Sequence, residues 1–176
     1  MVGPIQGGRP RSCGMRRQKI GGALLPELAQ TLPPNLQLDG ELVAWDEDGH
    51  PDFDRLSRRM LHGDRSIPVT YVVFDVLACE GVPTTAQPYI ERRGLLEELD
   101  VEGPHVQLVA TFEDGEALFQ VVCERGLEGI VAKREREPCR PGQRTWVKTK
   151  NKSTRRFAEE LRGARPRRPA SVVSGC

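Results

Sequence analysis

The stretch Glu128-Gly129-Ile130-Val131-Ala132-Lys133-Arg134 sets an acid and a base at the ends of a short apolar run. A second basic run, Trp146-Val147-Lys148-Thr149-Lys150, follows after a Pro/Gly-rich link. As neighbouring strands, the two runs would bring a carboxylate and several ammonium groups to one cleft. That is equipment for a metal-bound, phosphate-bearing ligand. Side chains alternate along a strand, so Lys148 and Lys150 share a face with Trp146. Such a pair clamps a phosphate; it equally suits a solvated edge strand, where lysine discourages further pairing. Glu128 and Lys133 stand five positions apart, which on one regular strand points them to opposite faces. Glu128 can instead sit in the turn that opens the strand, which Gly129 permits; otherwise the two are surface charges, paired or unrelated.

The elements that must hold these residues follow from pattern. A short helix is expected over 23–31, where Leu24, Leu25 and Leu28 share a face, and Pro33-Pro34 ends it. Leu36–Asp46 reads as a strand closed by an Asp48-Gly49 turn, with Asp39, Glu41, Val43 and Trp45 on one face. A helix over 52–62 has Asp52 as its cap and Phe53, Leu56 and Met60 turned inward. Val69–Ala78 is nearly continuous apolar sequence, as in a strand covered on both faces, with Asp75 the exception inside it. After a Glu80-Gly81 turn, the pattern gives a helix over 90–99, a strand over 106–111 and a helix over 113–125 stopped by Gly126. Residues 152–162 suit a last helix, whereas Met1–Gly8 reads as unstructured and 163–176 as a basic, then polar, disordered tail.

Length and composition bound the answer without choosing it. The chain has 176 residues, 38% hydrophobic and 29% charged, ordinary for one soluble globular domain. Twenty-six basic residues against 25 acidic give a net charge of +1, which argues neither for nor against nucleic acid. Charge is unevenly spread: 134–168 is basic and 91–128 acid-rich. Five cysteines without C-x-x-C spacing suit neither a zinc site nor a disulfide framework, so reduced thiols in a cytoplasmic protein are expected. No run has membrane-spanning length.

Four blocks stand in order along the chain: LDGELVAW, YVVFDVL, EGIVAKR and WVKTK, with Pro88-Tyr89-Ile90-Glu91-Arg92-Arg93 between the second and third. Together they resemble the later nucleotidyltransferase motifs of ATP-dependent DNA ligases, and the Pro88–Arg93 block resembles a segment of the bacterial enzymes. The resemblance implies an α+β fold, antiparallel sheets flanked by helices, in a partial, ATP-grasp-like adenylation domain. It implies ATP and Mg²⁺ (or Mn²⁺) as cofactors, nicked double-stranded DNA as partner, and no membrane. By the same resemblance Glu41 lies near the ribose, Phe74 stacks on adenine and Glu128 binds the metal. Lys133 belongs to the nucleotide site, and Lys148 and Lys150 contact the α-phosphate. Without the resemblance, Phe74 reads as core, because Val72 and Val76 share its face. Asp39 and Asp75 are motif members for which hydrogen bonding at a turn or strand end is expected.

One family feature is missing. The nucleophilic lysine belongs to a K-x-D-G motif upstream of Leu36, and the only lysine there, Lys19, has no Asp two positions on. The expected division is therefore a poorly structured remnant over 1–22, a partial adenylation domain over 23–162 and a tail over 163–176. No OB-fold domain is expected, and the chain alone should not self-adenylylate. The alternative is a non-catalytic nucleotide- or nucleic-acid-binding remnant.

Overall fold

A computed structural model of the chain describes residues 2–5, 25–140, 143 and 146–154. The tail, Leu24, Lys19 and residues 155–162 of the expected last helix lie outside these residues, while 152–154 form a turn and not the start of that helix. The described chain builds two sheets, each with its own apolar cluster.

The larger sheet is organised on β3 (Thr70–Cys79), flanked by β2 (Gln37–Val43), β4 (Val82–Pro83) and β5 (Val106–Leu108). Pairing is antiparallel except between β3 and β5, which run parallel. Helix α1 (Pro26–Thr31), α2 (Phe53–His62) and α3 (Tyr89–Glu98) surround this sheet. Leu25, Leu28, Val69, Val73, Val76, Leu96 and Val106 fill the main core. Asp52 caps α2, its side chain accepting from the Arg55 amide at 3.0 Å, as its position in the sequence implies. Leu56 and Met60 pack on the core, but Phe53 is 56% exposed: it opens the helix, where its direction is outward.

Strand β3 is irregular at two places that matter. Its register against β2 skips Leu77 and Phe74, so each is a bulge with no direct partner. These are half-buried positions in an otherwise buried stretch of strand. The bulge breaks the alternation that would have placed Phe74 on a face with Val72 and Val76. Freed carbonyls are satisfied locally: the Tyr89 hydroxyl donates to Phe74 O (3.3 Å), the Thr84 amide to Leu77 O (3.0 Å) and the Thr84 hydroxyl to Val76 O (2.6 Å). β4 follows a two-residue turn with Glu80 at φ 50° and Gly81 at φ 81°, the hand that suits a hairpin. The turn was legible; the two-residue return strand, one residue of it proline, was not.

The smaller sheet has the order β1 (Val2–Ile5), β6 (Gly129–Lys133), β7 (Trp146–Lys150), all antiparallel. β1 corrects the expectation of unstructured chain over Met1–Gly8. Its sequence, VGPI, carries little strand signal, and Pro4 is tolerated because β1 is an edge strand. Helix α4 (Gly115–Glu124), capped by Asp114, lays Leu118 and Val122 on Ile130 to form the second cluster. Backbone bonds tie the link after β6 to the start of α3: the Tyr89 amide to Glu137 O, the Ile90 amide to Glu135 O and the Cys139 amide to Thr85 O. Cys79 and Cys123 are free thiols, but Cys139 is in a disulfide, against the expectation of reduced thiols throughout. Among the described residues no helix is long and apolar enough to cross a membrane.

Candidate nucleotide site

The β6–β7 ladder positions the predicted residues. Register pairs Lys133 with Trp146, Val131 with Lys148 and Gly129 with Lys150, and directly paired residues share a face. Lys133, Trp146, Lys148 and Lys150 therefore lie on one face. The opposite face of β7 carries exposed Val147 and Thr149. The ladder needs glycine where it starts. Gly129 has φ 152°, and a Cβ there would sit 2.1 Å from Thr149 O.

Glu128 occupies the turn just before β6, as one reading of the sequence had it. Its Oε1 accepts from Lys148 Nζ at 2.9 Å, and Lys150 Nζ lies 3.9 Å away. Its side chain is only 10% exposed, so the acid is deeply set for a charged group. Asn151, which the sequence analysis passed over, locks this end. Its amide donates to Glu128 O (2.7 Å), and its side-chain nitrogen donates to Leu127 O (3.1 Å). A buried asparagine just past a strand end was the available signal.

Lys133 sits at the other end in different surroundings. Its Nζ lies 4.6 Å from the centroids of both Phe74 and Tyr89, and 5.8 Å from that of Trp146. It is also 3.6 Å from Asp75 Oδ2. Asp75 is buried mid-strand and gripped by Arg92: Nε donates to Oδ1 and Nη2 to Oδ2, each at 2.8 Å. This overturns the expected strand-end role for Asp75, because β3 runs on past it. Asp39 pairs across with Asp75 and lines the same cleft, together with Tyr89, Arg92, Lys133, Arg134, Glu137 and Trp146. Glu41, the sequence-predicted acid, does not line it; it lies two residues further along β2, opposite Val72.

Electrostatics follow from burial. Asp39 is pushed up to about 6, chiefly by desolvation and also by the Asp75 charge, while Lys133 pulls the other way. Burial lowers the Lys133 ammonium from its ordinary range, with Asp75 and Asp39 offsetting part of that. Among the cleft's charged residues, Asp39 and Asp75 face Arg92 and Lys133, two acids against two bases.

The structure thus brings the predicted residues to one ladder but divides them. Phe74 and Lys133 meet at one end; Glu128, Lys148 and Lys150 meet at the other. Aromatic rings, a carboxylate set among lysines and hard oxygen donors are what a nucleoside phosphate with a divalent ion requires.

Comparison with known proteins agrees with this chemistry. Residues 19–150 match the family model described as "ATP dependent DNA ligase domain". The chain belongs to the ATP-dependent DNA ligase family, and its matched region corresponds to part of the adenylation domain. It is 33% identical over 130 residues to the SPbeta prophage-derived DNA ligase-like protein LigB of Bacillus subtilis, covering 72% of this chain and 48% of that protein. It is 34% identical to the multifunctional non-homologous end joining protein LigD of Mycolicibacterium smegmatis, covering 73% of this chain and 16% of LigD. Among solved structures it resembles the ligase domain from M. tuberculosis LigD, with TM-score 0.66 and 28% identity over 85% of this chain and 52% of that one. A mycobacterial DNA ligase D complexed with ATP and MES gives TM-score 0.60 at 32% identity, covering 73% of this chain and 42% of that one. The chain spans about half, or less, of the length of these proteins.

Proposed function

We propose that this chain is the nucleotide-clamping part of a DNA ligase adenylation domain. Its ligand is ATP with Mg²⁺ or Mn²⁺, and its reaction context is the sealing of nicked double-stranded DNA through an enzyme–AMP intermediate. The observation that carries this is the single ladder face bearing Lys133, Lys148 and Lys150, with Glu128 at one end and Phe74 at the other. Lys148 and Lys150 hold the α-phosphate, Phe74 stacks on adenine and Lys133 belongs to the cleft between them. Glu128 suits a divalent ion: it offers hard carboxylate oxygens beside the phosphate seat, and Mg²⁺ is commonly held by one or two carboxylates plus substrate phosphates. When bound, the ion neutralises phosphate charge.

The chain's five lysines include none in a K-x-D-G motif, so these residues clamp ATP without attacking it. A partial domain reaching to residue 162 and a tail over 163–176 belong to the same proposal, as does a cytoplasmic location. The test is incubation of the purified protein with labelled ATP and Mg²⁺. Saturable, non-covalent binding that weakens in Phe74→Ala is expected, with no covalent AMP. A labelled band that disappears in Lys19→Ala would overturn this reading.

A second reading, a non-catalytic nucleic-acid-binding module, is favoured by the exposed Arg134, Arg136, Arg140 and Lys152 flanking the ladder. It requires salt-sensitive binding to nicked duplex that is lost on charge reversal of Lys148 and Lys150.

A further inference from the structure

Lys133 is the one described lysine that crosses from the smaller sheet to the larger, and what it meets there is already rigid. Asp75 has no freedom left: Oδ1 accepts from Arg92 Nε (2.8 Å) and from the Val76 amide (2.9 Å), and Oδ2 from Arg92 Nη2 (2.8 Å). Arg92 is held in turn, because its Nη1 donates to Gln87 O at 2.6 Å and its guanidinium stands 5.6 Å from the Tyr89 ring. Both residues are under 5% exposed. A planar, two-point arginine–carboxylate pair fixes orientation as well as charge, which a lysine in the same place does not. The remaining lone-pair side of Oδ2 faces Lys133 Nζ at 3.6 Å.

A buried ion pair is not by itself a good way to stabilise a fold, since desolvation offsets most of the attraction. Arg92 and Asp75 are costly residues to bury for packing alone, and α3 contributes its apolar Leu96 to the core without their help. Their geometry has a second consequence. Tyr89 and Arg92 lie on the first turn of α3, so one helix end supplies both a ring over Lys133 and the group that orients its carboxylate partner.

We infer that Arg92 and Asp75 are positioning residues for the nucleotide site, acting through Lys133: Arg92 orients Asp75, and Asp75 sets the Lys133 ammonium against Phe74. The inference rests on the ATP-clamp reading for its consequence, but the positioning itself is a property of the unliganded protein. The relay runs from α3 to β3 to β6. It couples the Pro88–Arg93 block to a lysine forty residues further along the chain.

The test separates the two layers. In side-chain NMR of the full chain, rings stacked on Lys133 should displace its ε-methylene protons upfield of those of exposed Lys152. Asp75→Asn and Arg92→Lys should each abolish that displacement and weaken Mg-ATP binding about tenfold, the scale of one charge-assisted hydrogen bond. In a Lys133→Met background neither substitution should change ATP affinity by more than about twofold, because coupled residues stop being additive once their shared partner is gone. Should Asp75→Asn fail to fold, Arg92→Lys keeps the charge, and protected β3 amides in hydrogen exchange would certify its core. A resonance that stays upfield in Arg92→Lys overturns the inference. So does an unchanged affinity, or an equal loss with and without Lys133. If the wild-type protein binds no ATP, the clamp reading falls, and the resonance alone decides whether Arg92 and Asp75 position Lys133.

Discussion

The two ends of the β6–β7 ladder use the same residue type for different work. At the Lys133 end the ammonium is enclosed by three rings, a bulged strand and a carboxylate already committed to Arg92. At the Glu128 end Lys148 and Lys150 share one carboxylate; their exposure, 21% and 30%, is near the 17% of Lys133, so the two ends differ in partners. A lysine so enclosed is a fixed part of the cleft wall. Lys148 and Lys150, by contrast, can exchange their shared carboxylate for a phosphate, which is likewise an anion with oxygen acceptors. The difference teaches that alternation assigns a face, whereas the packing on that face assigns the role.

The comparison can be broken most severely at the buried pair. Arg92→Met strips the buried Asp75 of its two-point partner, leaving the Val76 amide and Lys133, and chemical denaturation should record a loss of roughly 3–5 kcal/mol. Its counterpart at the other end is Gly129→Ala, whose Cβ would meet the Thr149 backbone. We expect roughly 2–4 kcal/mol of destabilisation by the same measurement, with both lysine clusters disturbed at once because both depend on the ladder.

Next in size is the pH dependence of the enclosed end. A folded pKa of about 6 for Asp39 lies above its ordinary 3.8. The fold therefore favours the protonated acid. That contribution is complete below pH 3.8, is lost as pH rises through 6, and amounts to about 3 kcal/mol. Asp39→Asn should flatten the stability profile between these pH values, and a series of denaturation midpoints against pH would check it.

At the Glu128 end, Lys148→Gln should leave stability within about 1 kcal/mol while weakening ATP binding roughly tenfold by titration calorimetry. The smallest effect belongs to the outer face of β7. Val147→Thr should move stability by no more than about 0.5 kcal/mol and leave ATP affinity alone.

Much of the fold could be read locally. The apolar run read at 69–78, found as β3 over 70–79, the cap at Asp52 and the stop at Gly126 each depend on neighbours in sequence, and each stands within a residue of where the pattern put it. What escaped was pairing without a local signal. β1 is a strand because β6 offers it an edge, and β4 exists only as the return of a tight turn. Of the site, the ladder lysines and Glu128 were legible as types at a spacing. The Asp75–Arg92 pair was not, because it joins residues 17 positions apart through the docking of α3 on β3. The bulge at Phe74 was equally hidden: strict alternation put that ring in the core, and only the register against β2 turns it toward Lys133.

The sequence by itself determined the kind of site: strands at 129–133 and 146–150, basic on one face, an acid before them and an aromatic in an apolar strand. Those are properties of period and composition, which need no partner. Tertiary structure decided which lysine meets aromatic rings and which two share Glu128. It also decided that Asp39 lines the cleft where Glu41 was expected, and that Asp75 answers to Arg92. Each of these depends on which element packs across from which, and burial changes a charged group's environment far more than its neighbours in sequence do.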